Sequence, residues 1–203
     1  TLRGRLDREH GDVVGAELGL GSHDAGAFER VILVACGTSF HAALVGRDYL
    51  ERLARVPAIA ELASEFRTRN PVIGPRDLVV AISQSGETLD TLMAAKLAKD
   101  RGASVLALAN VMDGAIPRLA DARLYTRAGP EIGVASTKCF TVQVAALLML
   151  AIWLGRRRDT LAASRAAELV EALARAPQQM REVLHGTRQL VSNLAHRYVE
   201  ARD

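Results

Sequence analysis

Apolar and polar positions alternate along the chain in blocks that predict strands and helices in turn. Short apolar runs predict five strands, at 31–35, 57–61, 78–82, 104–109 and 122–126. Longer stretches with helical periodicity lie between and after them, and the clearest are 39–54, 88–101, 115–120 and 136–154. Because strands and helices alternate, we expect an α/β fold, a three-layer αβα sandwich around a five-stranded parallel sheet. The strand order that we assume is 2-1-3-4-5.

The same pattern divides the chain into three parts. Residues 1–30 are polar and rich in glycine, and we expect a lead-in segment with short helical pieces. Residues 31–155 form the α/β domain. Residues 156–203 have helical periodicity throughout and predict a helical linker of two or three helices, broken at Pro177 and Gly186.

The most apolar stretch of the chain is Val144–Leu154, with eleven successive apolar residues. A membrane span needs about 20. This stretch therefore predicts a helix that is buried on all sides, within the domain or at an interface.

Two of the predicted strands end in hydroxyl-bearing residues at the start of a helix. Cys36–Ser39 follow the first strand, and Ser83–Thr88 follow the third. Unpaired N–H groups at a helix start carry partial positive charge, and hydroxyls add donors, so each junction predicts an anion pocket. In the assumed order, both junctions flank the point where strand order reverses and converge on one phosphate monoester. The alternative is that Ser39, Ser85 and Thr88 are ordinary helix caps.

A third candidate is the loop Glu131–Lys138, which joins the fifth strand to the apolar helix. Gly133 can take a positive φ, and Ser136 and Thr137 can cap the helix. The alternative is a capped loop with no ligand, with Lys138 at its rim. Glu131 and Glu87 are the carboxylates nearest to the junctions, and Glu87 is expected in the first turn of its helix, where it offsets the dipole.

Composition narrows the class of protein. The 203 residues are 49% apolar, which is enough for a sizeable core, and the net charge is +3. Four Phe, three Tyr and one Trp offer little surface for stacking on bases. The cluster Arg156–Arg158 is typical of a solvated helix end, so we expect no nucleic-acid partner. The apolar run Val144–Leu154 is too short for a span, so we expect no membrane.

Groups that move protons or bind metals are scarce. The five histidines lack ligand spacing, and Cys36 and Cys139 do not suggest a disulfide framework. A Schiff base would need an amine, and the chain has only Lys96, Lys99 and Lys138. We therefore predict phosphate binding with no metal, no cofactor and no catalytic residue in this chain.

Four motifs together resemble one family. They are Cys36-Gly37-Thr38-Ser39, Ala63-Ser64-Glu65-Phe66-Arg67, Ser83-Gln84-Ser85-Gly86-Glu87-Thr88 and Glu131-Ile132-Gly133-Val134-Ala135-Ser136-Thr137-Lys138. In this order they resemble the first sugar-isomerase (SIS) domain of the glutamine–fructose-6-phosphate aminotransferases (isomerising), also called glucosamine-6-phosphate synthases. The resemblance covers roughly residues 1 to 200.

The resemblance implies a set of residues that bind fructose 6-phosphate or glucosamine 6-phosphate. By similarity these are Thr38, Ser39, Ser83, Gln84, Ser85 and Thr88, with the loop after the third strand holding the phosphate. Val134 and Ser136 are implied to lie near the sugar.

The resemblance also implies partners. Members of the family carry a glutaminase domain and a second SIS domain with the isomerisation machinery, so this chain is expected to be a fragment of a homodimeric synthase, inactive alone. The polar start of the sequence shows no signal peptide, so we expect a cytoplasmic protein. Two alternatives stay open at this point. One is a regulatory module that senses a phosphosugar, and the other is a stand-alone SIS isomerase or deglycase that completes its site across a dimer.

Overall fold

Five parallel strands lie at the centre of the structure, a computed structural model that describes residues 1–18, 26–133, 135–199 and 201. In chain order the strands are β1 (Leu6–Asp7), β2 (Asp12–Val13), β3 (Arg30–Ala35), β4 (Ala58–Leu62), β5 (Asp77–Ser83), β6 (Ser104–Ala109) and β7 (Ala122–Tyr125). The helices are α1 (Gly37–Tyr49), α2 (Ala63–Thr68), α3 (Leu89–Asp100), α4 (Ala115–Leu119), α5 (Lys138–Arg157) and α6 (Ala163–Arg197). A π-helical turn, Leu50–Ala54, extends α1.

The central sheet has the order β4-β3-β5-β6-β7, and all its pairs are parallel. Counted within the sheet, this is 2-1-3-4-5, so the predicted fold class and strand order are confirmed. In the register of β3 and β5, Ala35 pairs with Ile82. The residues that follow, Cys36 and Ser83, therefore leave the same edge of the sheet side by side.

Alternate residues of the strands build two separate cores. Leu33 and Ala35 of β3 pack with α1 and α5 on one face, and Ile32 and Val34 pack with α2, α3 and α4 on the other. All four are at most 1% exposed. Burying such a side chain contributes about 1.5–3 kcal/mol, so near-continuous apolar strands hold the sheet between two helical layers.

Helix α5 is a core helix, as its apolar run predicted. By length and composition it is apolar enough to cross a membrane, but 61% of its most apolar stretch is buried inside the domain. It packs against α1 and the π-helical turn. The contacts that bury it lie within this chain.

The lead-in differs from its prediction. A small antiparallel hairpin of β1 and β2 lies where helical pieces were expected, and among the described residues of the lead-in only Gly15–Leu18 is helical, as a 3-10 turn. The hairpin contacts α5 and α6, and the Arg8 guanidinium lies 2.7 Å from the Glu171 carboxylate. The division into three domains stays a prediction.

The three arginines lie at the end of α5, as predicted, and each also contacts another part of the chain. Arg156 donates to the carbonyl of Leu161. Arg157 lies 2.9 Å from the Asp12 carboxylate, and Arg158 donates to a backbone carbonyl of the lead-in. Arg157 and Arg158 thus attach the lead-in to the end of α5.

The predicted breaks at Pro177 and Gly186 are wrong, since α6 runs through both as one helix. A proline removes one backbone hydrogen bond, and an isolated glycine costs about 1 kcal/mol, and neither must end a helix of this length. The buried residues of α6 are Ala166, Val170 and Leu173, all before the proline.

Candidate functional site

The two hydroxyl-rich junctions meet at one cavity of about 240 Å³ at the carboxyl edge of the sheet. Its lining comes from the loop after β3, the loop after β5 and the loop before α5. The lining residues are Cys36, Gly37, Thr38, Ser39, Gln84, Ser85, Thr88, Glu131, Gly133 and Ser136. Six of the eight predicted ligand-binding residues are among them. The other two are Ser83, which lies behind the lining, and Val134, which lies outside the described residues.

The loop after β5 is organised around the buried hydroxyl of Ser83. This side chain is 2% exposed, its Oγ accepts a hydrogen bond from the Gly86 N–H at 3.1 Å, and it lies 2.9 Å from the Thr88 Oγ1. The Ser85 Oγ accepts from the Glu87 N–H at 3.1 Å, which leaves its own proton free to point into the cavity. Ser83 therefore shapes the loop, while Ser85 and Thr88 face the space where a ligand would lie.

Gly86 is needed for packing against α4 rather than for approach to a ligand. Its φ is +72°, a conformation that favours glycine, and a Cβ here would lie 3.1 Å from the Pro117 Cδ. Its carbonyl accepts from the Ile116 N–H. Glu87 also points to α4, where its carboxylate accepts from the Ala115 N–H at 2.7 Å. It precedes α3, so the expected place in the first turn of that helix is wrong.

The loop after β3 presents Thr38 and Ser39 in the first turn of α1. The Ser39 Oγ accepts a hydrogen bond from the Gln143 Nε2 at 3.0 Å. In the described part of the chain, the N-cap residues of α1 and α3, Cys36 and Thr88, make no side-chain cap bond. The ordinary-cap alternative therefore does not account for the hydroxyls of Ser39 and Thr88. The amide ends of both helices point to the cavity.

The loop before α5 is anchored by Asn110, whose Oδ1 accepts from the Ala128 N–H at 2.7 Å and whose Nδ2 donates to the Gly129 carbonyl. Two residues of this loop have a positive φ, Arg127 at +51° and Gly129 at +75°. Gly133 does not have a positive φ, so it does not use the conformational freedom that a glycine has there. The residues with a positive φ therefore lie before Glu131, where the chain turns away from the sheet.

Glu131 caps α5 and lines the cavity at the same time. Its carboxylate accepts from the Ser136 hydroxyl at 2.8 Å and from the N–H groups of Thr137 and Cys139 at 3.1 and 3.3 Å. Desolvation is the largest single influence and raises its pKa. The hydrogen bonds from Cys139, Ser136 and Thr137 together outweigh desolvation and lower the pKa to about 2. The group is therefore a carboxylate at neutral pH and accepts hydrogen bonds only.

The thiol of Cys139 does not add a nucleophile. Burial, followed by its hydrogen bond to Glu131 and the charge of that group, raises its pKa to about 11. A thiol with such a pKa stays protonated near pH 7. Ser136 is also engaged, because it donates to Glu131 and its Oγ accepts from the Phe140 N–H.

The cavity thus has a donor side and an acceptor side. Hydroxyls and helix amides from the loops after β3 and β5 form the donor side, which suits an anion. The carboxylate of Glu131 and the remaining lone pair of the Ser136 oxygen form the acceptor side, which suits neutral hydroxyl groups.

Other features offer less chemistry. A larger cavity of about 750 Å³ lies between the lead-in, α5 and α6, lined mainly by apolar side chains and arginines. Within the residues that the structure describes, no three His, Cys, Asp or Glu side chains form a cluster able to hold a metal ion. Lys99 lies 2.8 Å from the Asp121 carboxylate and serves as an ion-pair partner.

Comparison with known proteins agrees with this geometry. Residues 28–153 match the SIS domain. The chain belongs to the SIS-domain family. Its site loops lie at the carboxyl edge of that domain's sheet.

Relatives of this SIS domain carry the name glutamine–fructose-6-phosphate aminotransferase (isomerizing). The protein from Symbiobacterium thermophilum is 50% identical over 91% of this chain, and one from Thermus thermophilus is 46% identical over all of it. A solved structure, the C-terminal domain of glucosamine-fructose-6-phosphate aminotransferase from Francisella tularensis, matches 92% of the chain with a TM-score of 0.79 and 31% identity.

The chain spans only part of these proteins. It covers 30% and 33% of the lengths of the two curated relatives and 51% of the Francisella structure. This chain is thus an SIS domain that is similar to about a third of the length of each curated aminotransferase.

Two residues of the site were missed or undervalued by sequence reasoning. Gln143 contacts Ser39 from α5, and its only signal in the sequence is a polar residue at the border of an apolar helix. Glu131 was noted as a nearby carboxylate, but its place in the cavity lining depends on how the loop folds back on α5.

Proposed function

We propose that this chain binds fructose 6-phosphate or glucosamine 6-phosphate as the first SIS half of a glutamine-dependent glucosamine-6-phosphate synthase. The observation that carries the proposal is the convergence of two hydroxyl-rich strand ends and the start of α5 on one cavity. A phosphate group needs hydrogen-bond donors, and the hydroxyl groups of a sugar need acceptors. The cavity has donors on one side and acceptors on the other.

Each residue then has a distinct role. Thr38, Ser39, Ser85 and Thr88 donate to the phosphate, with Gln84 beside them. Ser136 lies at the sugar, and the resemblance alone assigns Val134, which is outside the described residues, to the same role. Ser83 acts through the loop, because its hydroxyl is spent on Gly86 and Thr88.

The relatives support the class of ligand. The names of the curated relatives contain fructose 6-phosphate, and this chain carries the four motifs that resemble their family. A synthase also needs a glutaminase and an isomerase centre, which we assign to other parts of a longer homodimeric protein. The cytoplasmic location predicted from the sequence belongs to this proposal.

Calorimetry with fructose 6-phosphate and glucosamine 6-phosphate tests the assignment. Losing one hydrogen bond to a charged group costs about 1.5–3 kcal/mol, so Ser85→Ala should weaken binding roughly 10- to 150-fold. The triple change Ser83→Ala, Ser85→Ala and Thr88→Ala should abolish it.

The matched control is Ser192→Ala, because Ser192 is exposed on α6. Its affinity should equal that of the wild type. Unchanged affinity in the triple variant, or equal affinity for fructose without its phosphate, would contradict the proposal.

A further inference from the structure

Gln143 is a buried polar residue, and its side-chain amide forms a hydrogen bond with Ser39 of the candidate site. It lies on α5 among apolar residues and is 1% exposed. Its Nε2 donates to the Ser39 Oγ at 3.0 Å, across 104 positions of the chain. Its Oε1 is buried with no hydrogen-bond partner among the described residues.

Because its Oε1 has no hydrogen-bond partner, Gln143 lowers the stability of the folded chain relative to an apolar residue of similar size. A buried carbonyl without a partner loses the hydrogen bonds that it makes to water in the unfolded chain. An apolar side chain of similar length would fill the same space without that loss. Such a residue therefore needs a reason beyond packing.

The direction of the hydrogen bond gives that reason. The Ser39 Oγ accepts from Gln143, so the Ser39 proton must point elsewhere, and Ser39 lines the cavity. If the amide were turned over, its two N–H groups would be buried where Oε1 now has no partner. Proteins tolerate an under-satisfied carbonyl better than orphaned N–H groups.

We propose that Gln143 is a positioning residue that holds Ser39 as a hydrogen-bond donor toward the anion in the cavity. This inference rests on the proposed function, since it needs an anion at the donor side. Gln143 itself does not touch the ligand.

The first test is Gln143→Met, which keeps the length of the side chain and removes both polar groups. We expect fructose 6-phosphate to bind about 2- to 10-fold more weakly, the effect of one hydrogen bond that is no longer oriented. The thermal unfolding midpoint should stay the same or rise, because the unpartnered carbonyl is gone. The control Gln178→Met, on the exposed face of α6, should change neither quantity.

The second test asks whether the effect passes through Ser39. Ser39→Ala alone should weaken binding, and adding Gln143→Met to it should cause no further loss. Wild-type affinity in Gln143→Met, or a loss that persists in the Ser39→Ala background, would overturn the inference. If the wild-type chain binds neither fructose 6-phosphate nor glucosamine 6-phosphate, the proposed function itself fails and this inference with it.

Gln143→Glu keeps the shape of the side chain and provides a separate readout if Gln143→Met does not fold. An ionised carboxylate can only accept, so Ser39 would turn its proton away from the cavity. Burial raises the pKa of the introduced carboxyl. The affinity relative to the wild type should therefore fall as the pH rises from about 6 to about 9. A pH-independent ratio would count against the proposal.

Discussion

At the scale of single residues, Glu131 links the stability of the site loop to pH. Its carboxylate holds the Ser136 hydroxyl and two N–H groups at the start of α5. These bonds favour the charged form and lower its pKa to about 2, although desolvation works against them. A carboxyl whose pKa is lowered on folding stabilises the protein above its unfolded pKa.

We therefore expect the contribution of Glu131 to be complete above about pH 4.5 and to disappear as the pH falls toward about 2. Unfolding midpoints should be measured for the wild type and Glu131→Gln across this range. The wild type should be the more stable at pH 6, and the difference should shrink steadily below about pH 4.5.

Glu182→Gln is the control, since Glu182 is exposed on α6 and accepts from Gln178. Its difference from the wild type should change little over the same range. A constant difference for Glu131→Gln at pH 6 and pH 3 would mean that the carboxylate does not hold the loop.

At the scale of elements, α6 consists of two unequal halves. Before Pro177, the helix packs on the domain through Ala166, Val170 and Leu173. After it, large apolar residues are exposed, including Met180, Val183, Leu184, Leu190, Val191, Leu194 and Tyr198. Since most helical stability in proteins comes from tertiary packing, the two halves should differ in local stability.

Amide hydrogen exchange should show that difference as a step near Pro177. Residues 178–197 should exchange much faster than residues 163–176 in the isolated chain. Pro177→Ala restores an N–H group that can bond the Leu173 carbonyl, and proline costs about 3 kcal/mol more than alanine in a helix interior. The variant should therefore slow exchange after the proline and leave residues 163–176 unchanged. Equal protection on both sides of Pro177 in the wild type would contradict this account.

At the scale of the whole molecule, the chain is rich in groups that bind and poor in groups that move protons. Around the cavity are hydroxyls, helix amides and one carboxylate with a pKa of about 2, which is a weak base near pH 7. Cys139 stays protonated. Glu87 is engaged at the start of α4.

The isolated chain should therefore bind its ligand without turnover. Fructose 6-phosphate at about 100 times its Kd should stabilise the fold by about 2.7 kcal/mol. Incubation with glutamine or ammonia should yield no glucosamine 6-phosphate, and glucose and fructose 6-phosphates should not interconvert. Turnover that disappears on mutating Glu87, Glu131 or Lys138 would instead favour a stand-alone SIS enzyme.

Much of the fold could be predicted from the sequence, because each strand and helix carries its own periodic pattern of apolar residues. β5 was expected at 78–82 and is Asp77–Ser83, and β6 lies at the expected 104–109. The failures occur where local signals are weak. A two-residue hairpin such as β1 and β2 has almost no periodicity, and Pro177 lies in a helix whose neighbouring turns continue past it.

The amino-acid sequence shows which chemistry is present, namely apolar strands and hydroxyl groups where two of them end. The folded chain fixes the strand order that brings those ends together, and it fixes how each hydroxyl is used. Ser83 resembles the other hydroxyl residues of its motif in the sequence, but its side chain is buried and its oxygen accepts a hydrogen bond from Gly86 of the same loop. Ser39 is directed by Gln143, 104 positions away. The reason is physical, because a hydroxyl has one proton, and contacts made across the fold decide where that proton points.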